Sequence, residues 1–247
     1  MALPIISTPT YETTIPSNGT IVQFRPFLVK EEKILLLALE SADKKGQYRA
    51  LKQILKNCIL SPIDPNKLTV FDVEYLFIQI RGKSLGETLD PVVVCPNCGS
   101  QGKIKINLAD IEVNHKNKME TPYKVMLSDK IGITLVYPNM EMVEDIDPDA
   151  AVGSGDTETV FKIIAKCIDM IFDGDETFDP KGYSEKEIIQ FIEGTPTENF
   201  KKIIDFISNM PRVEKEVHFR CPKCQTEKHM ILRGVEDFFA SASPTTV

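Results

Sequence analysis

Long apolar runs, an excess of basic residues and enzyme signature motifs are all missing from this 247-residue chain. Its longest uninterrupted apolar stretch covers residues 34–39, far short of the roughly 18 residues that a membrane-spanning helix needs. No basic segment followed by an apolar one opens the chain, so no secretory leader is expected and the protein reads as soluble and cytoplasmic. With 36 acidic against 29 basic residues the formal net charge is −7. A chain without a Lys/Arg surplus has little general attraction for nucleic acid or anionic membrane, so another protein is the expected partner. Gly-x-x-x-x-Gly-Lys-Ser/Thr, Gly-x-Ser-x-Gly and His-Glu-x-x-His are absent. No phosphate, acyl or metalloprotease chemistry is announced, and neither enzymatic activity nor a small-molecule substrate is expected.

Cysteine is scarce but not scattered. Of six cysteines, four form two widely separated pairs, Cys95-Pro96-Asn97-Cys98 and Cys221-Pro222-Lys223-Cys224. Structural Zn²⁺ takes four ligands tetrahedrally, and each Cys-x-x-Cys turn presents two sulfurs from one tight knuckle, so two knuckles complete the shell. Cys95, Cys98, Cys221 and Cys224 are therefore the expected ligands of one structural zinc ion that staples residue 95 to residue 224. Four thiolates leave no coordination position for water or substrate, so the site is architectural rather than catalytic. Cys58 and Cys167 fall on apolar helical faces, which fits a reducing compartment better than three disulfides.

Redox chemistry is the main rival. A thioredoxin-like Cys-Pro-x-Cys sets its first cysteine at a helix N-terminus and needs a thiol titrating well below about pH 8. Gly99 and the alternating residues 103–108 do not start a helix. Gly99 suits a knuckle because positive φ turns backbone N–H groups toward sulfur, whereas Gln225 holds the matching place in the second knuckle. Keeping the same backbone there costs about 1 kcal/mol, which marks the second knuckle as the less rigid half.

Three further features carry bland readings. His115, His218 and His229 are the three histidines; the last two flank the second knuckle, but four thiolates already suffice, so they read as strand or surface residues. The acidic run from Asp173 to Asp179 looks like a calcium loop, yet Phe178 stands where the sharp-turn glycine belongs and Ser184 where the closing glutamate belongs. A solvated acidic loop is expected. Lys215, Arg220, Lys223, Lys228 and Arg233 surround the second knuckle, interspersed with Glu214, Glu216 and Glu227 and without an aromatic row. A zinc-ribbon nucleic-acid binder is thus the alternative of another class, and the weaker one.

Along the chain, Asn18-Gly19 between apolar runs predicts an N-terminal β-hairpin over residues 11–28. Residues 30–40 are apolar nearly all round and predict a helix buried on several sides. Residues 47–60 predict an amphipathic helix, and 70–81 a third that enters through Thr69 and Asp72 and closes at Gly82. Val92 to Val94 and residues 103–108 predict strands on either side of the first knuckle, and 213–219 and 230–232 on either side of the second. Between them come a hairpin over 123–137, an Asp156-capped helix whose face runs from Val160 to Phe172, a helix opened by Ser184 and Glu187, and one opened by Thr195, Pro196 and Glu198. The acidic stretch 141–149 and Gly153-Ser154-Gly155 read as a mobile connection.

Thr14-Ile15-Pro16-Ser17-Asn18-Gly19, then Phe24-Arg25-Pro26-Phe27-Leu28-Val29-Lys30-Glu31-Glu32-Lys33, then Phe71-Asp72-Val73-Glu74-Tyr75-Leu76-Phe77 resemble the baseplate hub assembly proteins of T4-like contractile-tailed phages. The similarity is strongest up to about Asp90 and continues through the knuckles. It implies a phage factor, made in the cytoplasm of the infected bacterium, that helps build the tail baseplate hub through contacts with other hub and tail proteins. It transfers no active-site residues. It leaves open whether such a factor departs before the particle matures or stays in the virion as a structural subunit.

The expected fold is α+β: an N-terminal hairpin and helices (1–90), a first zinc knuckle with a β-hairpin (91–137), an inserted helical region (138–210), a second knuckle completing a split ribbon (211–239) and a disordered tail (240–247).

Overall fold

The computed structural model describes residues 6–40, 44–114, 120–143, 146 and 156–233. The tail 240–247, His115 and Gly153-Ser154-Gly155, with most of the acidic stretch before it, lie outside the described residues. Among the described residues the chain is α+β, with six α-helices and several small antiparallel sheets. No helix among them is long and apolar enough to cross a membrane. Two compact units divide the chain: Met1–Pro65, Phe71–Asn114 and Arg212–Val247 form the first, Asn66–Val70 and His115–Pro211 the second.

The first unit opens with β1 (Tyr11–Thr14) and β2 (Ile21–Phe24), paired antiparallel from Tyr11↔Phe24 to Thr14↔Ile21. The tight Asn-Gly turn expected between them is replaced by a longer loop. Ile15 N–H donates to Thr20 O at 2.8 Å and Gly19 N–H to Ile15 O at 2.9 Å. Gly19 takes φ +74, while the Asn18 side chain accepts from Thr20 N–H at 2.9 Å.

Helices α1 (Val29–Glu40), α2 (Lys44–Cys58) and α3 (Val70–Leu85) follow. The expectation that residues 30–40 are core on several sides does not hold, because Leu37 is 55% exposed and the buried positions form a single stripe. Among its described side chains, α1 buries Leu35, Ala38 and the Glu31 carboxylate. Glu31 accepts from Arg25 Nη2 at 3.1 Å and from Leu28 N–H at 2.8 Å, and Arg25 also donates to Asn57 O at 2.9 Å. Burial pushes the Glu31 carboxyl up, but the Arg25 hydrogen bond, the Leu28 N–H and the nearby Arg25 and Lys30 charges outweigh it and leave the group lowered. The helix buried on several sides is α3, with Phe71, Val73, Leu76, Phe77, Ile78 and Ile80 all inside. It runs past Gly82, and Gly86 at φ +111 follows its end. Helix α2 stops at Cys58 because the next residues pair with β2: Ile59 bridges Phe24, and Leu60 N–H donates to Gln23 O at 2.8 Å.

Strands β3 (Thr88–Leu89), β4 (Val92–Val94), β5 (Gln101–Lys103), β6 (Ile106–Asn107) and β7 (Glu112–Asn114) surround the first knuckle. The single strand expected over 103–108 is split, since β5 pairs with β4 while β6 pairs with β3. Burial still alternates at Ile104, Ile106 and Leu108, so the apolar period survives the change of partner.

The second unit contains β8 (Tyr123–Met126), β9 (Ile131–Leu135), α4 (Thr157–Cys167), β10 (Ile168–Asp173), β11 (Glu176–Phe178), α5 (Glu185–Glu193) and α6 (Thr197–Ser208). Its sheet runs β11-β10-β9-β8. Asp156 caps α4 by accepting from Thr159 N–H at 3.0 Å, but the helix expected to reach Phe172 ends at Cys167. The β-branched Ile168 and Ile171 instead pair with Leu135 and Ile133, a case of sheet pairing overriding helical spacing. Asp173 pairs with Glu176 across a turn with Gly174 at φ +59. The acidic residues of this hairpin are exposed as expected. Ser184 and Glu187 form the expected capping box of α5. Tyr123 and Tyr137 stack on Phe206 at 5.4 and 5.2 Å, beside buried Ile203 and Ile207.

The chain returns to the first unit through β12 (Arg212–Arg220) and β13 (Glu227–Arg233), giving a sheet of order β13-β12-β7.

Candidate metal centre

Residues 95–98 turn between β4 and β5, and 221–224 between β12 and β13. The two turns have the same backbone pattern. Gly99 N–H donates to Cys95 O and Cys95 N–H to Ser100 O, both at 2.8 Å; Gln225 N–H donates to Cys221 O and Cys221 N–H to Thr226 O, both at 3.0 Å. Gly99 has φ +68 and Gln225 φ +58. Gln225 therefore keeps the glycine-like shape at a cost of about 1 kcal/mol, and its side chain donates to Pro222 O at 3.1 Å.

The knuckles face one another. Cys95 Sγ lies 3.7 Å from Cys224 Sγ and Cys98 Sγ 3.6 Å from Cys221 Sγ, and all four sulfurs fall within 4.8 Å of each other. The thiols are free, far beyond the roughly 2.05 Å of a disulfide. Four sulfurs held about 2.3 Å from one tetrahedral centre stand about 3.75 Å apart, so both contacts match the edge of a ZnS₄ tetrahedron. Cys95 and Cys221 are buried, and Cys98 and Cys224 half-buried.

The sulfurs sit among donors. Ser100 Oγ lies 3.1 Å from Cys98 Sγ and 3.0 Å from Cys221 Sγ, and Thr226 Oγ1 lies 3.2 Å from Cys224 Sγ. Asn97 Nδ2 reaches across the knuckles to Cys224 Sγ at 3.6 Å. The Thr226 hydroxyl, then the Thr226 N–H and the Asn97 amide, bring the Cys224 thiol down to about 5. The Cys224 N–H and then the Ser100 hydroxyl lower Cys221, whereas burial pushes Cys95 up. Away from the cluster, burial raises Cys58 to about 11 and Cys167 to about 12, so neither offers a reactive thiolate.

A depressed thiol serves redox chemistry and metal ligation alike, since both use the thiolate. Geometry separates them. Neither knuckle begins a helix, each is followed by a strand, and the 3.6 and 3.7 Å contacts both run from one knuckle to the other.

Spacing alone did not reveal Asn97, Ser100, Thr226 and Gly102. Ser100 and Thr226 had a signal, because each stands two residues after the second cysteine of its knuckle. Gly102 lies on β5 under the Phe219 ring of β12. A Cβ there would come within 2.5 Å of that ring and 3.3 Å of Pro222 Cδ. His218 and His229 occupy exposed strand positions outside the four-sulfur group.

Residues 8–240 match the family described as T4 bacteriophage base plate protein. The span includes both knuckles, and the chain belongs to that family. Among curated proteins it is similar to the baseplate hub assembly protein gp26 of Enterobacteria phage T4, with 23% identity over 230 residues covering 93% of this chain and 97% of that protein. No solved structure matches it.

Proposed function

We propose that this chain is a non-enzymatic assembly factor for the hub of a phage tail baseplate, acting in the host cytoplasm through contacts with other hub and tail proteins. The observation that carries the reading is the near full-length match to the base plate family, together with similarity over 97% of a hub assembly protein. Zinc bound by Cys95, Cys98, Cys221 and Cys224 closes a split ribbon and holds the surrounding strands rigid, with no open ligand position for chemistry. Val92 and Val94, 54% and 59% exposed on β4, give an apolar surface beside the centre of the kind a protein partner covers.

The nucleic-acid alternative is weakened by how the basic residues are engaged. Arg220 stands opposite Glu227, Arg233 Nε lies 3.6 Å from Glu214, and Lys215 Nζ donates to Asp110 O at 3.0 Å. With Glu214, Glu216 and Glu227 interspersed, no aromatic row beside them and a net charge of −7 for the chain, these residues offer a weak basis for phosphate binding.

The test compares infected-cell lysate with purified particles. Co-purification with hub proteins from lysate and absence from mature particles is expected. Presence in particles at a fixed ratio to tail proteins would replace the transient factor with a retained subunit, and association with neither would overturn the reading.

A further inference from the structure

We propose that Glu216, His218 and His229, on the outer face of the β12–β13 hairpin, form a second divalent-cation site, specific for zinc-like ions and separate from the four sulfurs. The antiparallel register sets His218 directly opposite His229, and Glu216 lies two residues away on the same face of β12. Directly opposed side chains on one face of a sheet meet, and diagonal ones come within reach of long side chains. Here the imidazole rings are 4.3 Å apart at 72°, and His229 Nδ1 lies 3.3 Å from Glu216 Oε1. One ligand atom from each of the three residues falls within 4.8 Å of the others.

The 3.3 Å separation equals the edge of a tetrahedron whose nitrogen and oxygen ligands stand about 2.0–2.1 Å from a metal. His229 and Glu216 are 64% and 63% exposed, so the small rotations that bring the third ligand in meet no packing resistance. A surface ion pair accounts for Glu216 beside His229 and an edge-to-face ring contact for His218 opposite His229, but a shared cation accounts for all three together. Two imidazoles placed opposite one another repel if both are protonated, whereas a shared cation uses both as neutral ligands. Of the arginines on this face, Arg233 turns toward Glu214, its Nε 3.6 Å away, and Arg220 has Glu227 as its cross-strand neighbour. Two imidazoles and one carboxylate select zinc-like transition ions over calcium or magnesium. Three protein ligands leave a position open, which water or an acidic or imidazole side chain of a docking protein can fill.

The test titrates Zn²⁺ into the reduced full-length protein while following the imidazole ¹⁵N signals of His218 and His229. Both signals are expected to shift together and saturate with one equivalent beyond the one the four sulfurs hold, with Ca²⁺ failing to compete. Glu216→Gln should weaken this phase roughly tenfold or more. The double variant His218→Ala/His229→Ala should abolish it while keeping the parent's circular dichroism and its zinc-protected thiols. Imidazole signals that stay still in excess Zn²⁺, or a double variant that keeps the phase, would overturn the proposal. Because thiol protection is read separately, failure here is distinguishable from failure of the four-cysteine centre.

Discussion

The two knuckles share one backbone and differ in chemistry. Each closes with the same pair of hydrogen bonds and a positive φ, yet the first uses glycine where the second strains a glutamine. In the first, burial pushes Cys95 up; in the second, hydroxyl, amide and backbone donors bring Cys224 down to about 5. The knuckle with the costlier backbone thus carries the more acidic thiol. Backbone shape is common to both halves because four sulfurs must converge. The rest of each knuckle varies because bringing the sulfurs together constrains only where they stand.

Ligand loss is the largest test of that equivalence. Cys95→Ser and Cys224→Ser should each lower stability by several kcal/mol and release the metal, since structural zinc binding is coupled to folding. Denaturant unfolding with metal analysis measures both. A loss confined to one knuckle would mean that the halves are not parts of one centre.

The thiol difference comes next. In metal-free, reduced protein, Cys224 should remain a thiolate as pH falls to about 5, whereas Cys95 should ionise only above its ordinary value of 9.0. Because the folded state holds the Cys224 thiol below its unfolded value, the associated stability is full above about 9 and disappears as pH falls through about 5. Site-resolved alkylation across pH measures the two midpoints, and Thr226→Val should raise that of Cys224. Equal midpoints would remove the distinction.

Gly102→Ala probes the packing of β5 against β12. The added methyl meets the Phe219 ring at 2.5 Å, so a loss of about 1–3 kcal/mol is expected, partly recovered by Phe219→Leu. An unchanged melting point would show that the ring yields freely. Smallest of all, Gly99→Ala should cost about 1 kcal/mol, while Gln225→Gly should gain less than about 1 kcal/mol, because relief of the positive φ is offset by the freedom glycine adds to the unfolded chain. A gain at Gly99 or a loss at Gln225 would invert the comparison.

Spacing and pattern made the cysteine cluster legible. Two Cys-x-x-Cys turns between strands brought four sulfurs together with no other information, and Ser184 with Glu187 marked a capping box that the fold contains. The misreadings have physical causes. Residues 168–172 continue a helical period, but Ile168 and Ile171 gain more by pairing with β9. Residues 34–39 are apolar enough for a core helix, yet α1 is anchored by the Glu31–Arg25 pair, which periodicity does not register. Arg81 was equally silent. It is buried on α3 with Nε and Nη1 lacking partners among the described residues, and burial pulls its guanidinium down to about 10. The donors that cross between knuckles, Asn97 to Cys224 and Ser100 to Cys221, depend on how the two turns lie together, a long-range relation that local patterns do not encode.

Zinc K-edge X-ray absorption on the reduced protein tests the four-sulfur centre most directly. Tightly held zinc is expected, with a first shell of four sulfurs at about 2.3 Å, lost in Cys95→Ser and Cys224→Ser alike. A protein that carries no zinc and alkylates at all four cysteines, or a tightly held zinc with a shell dominated by nitrogen and oxygen, would contradict it.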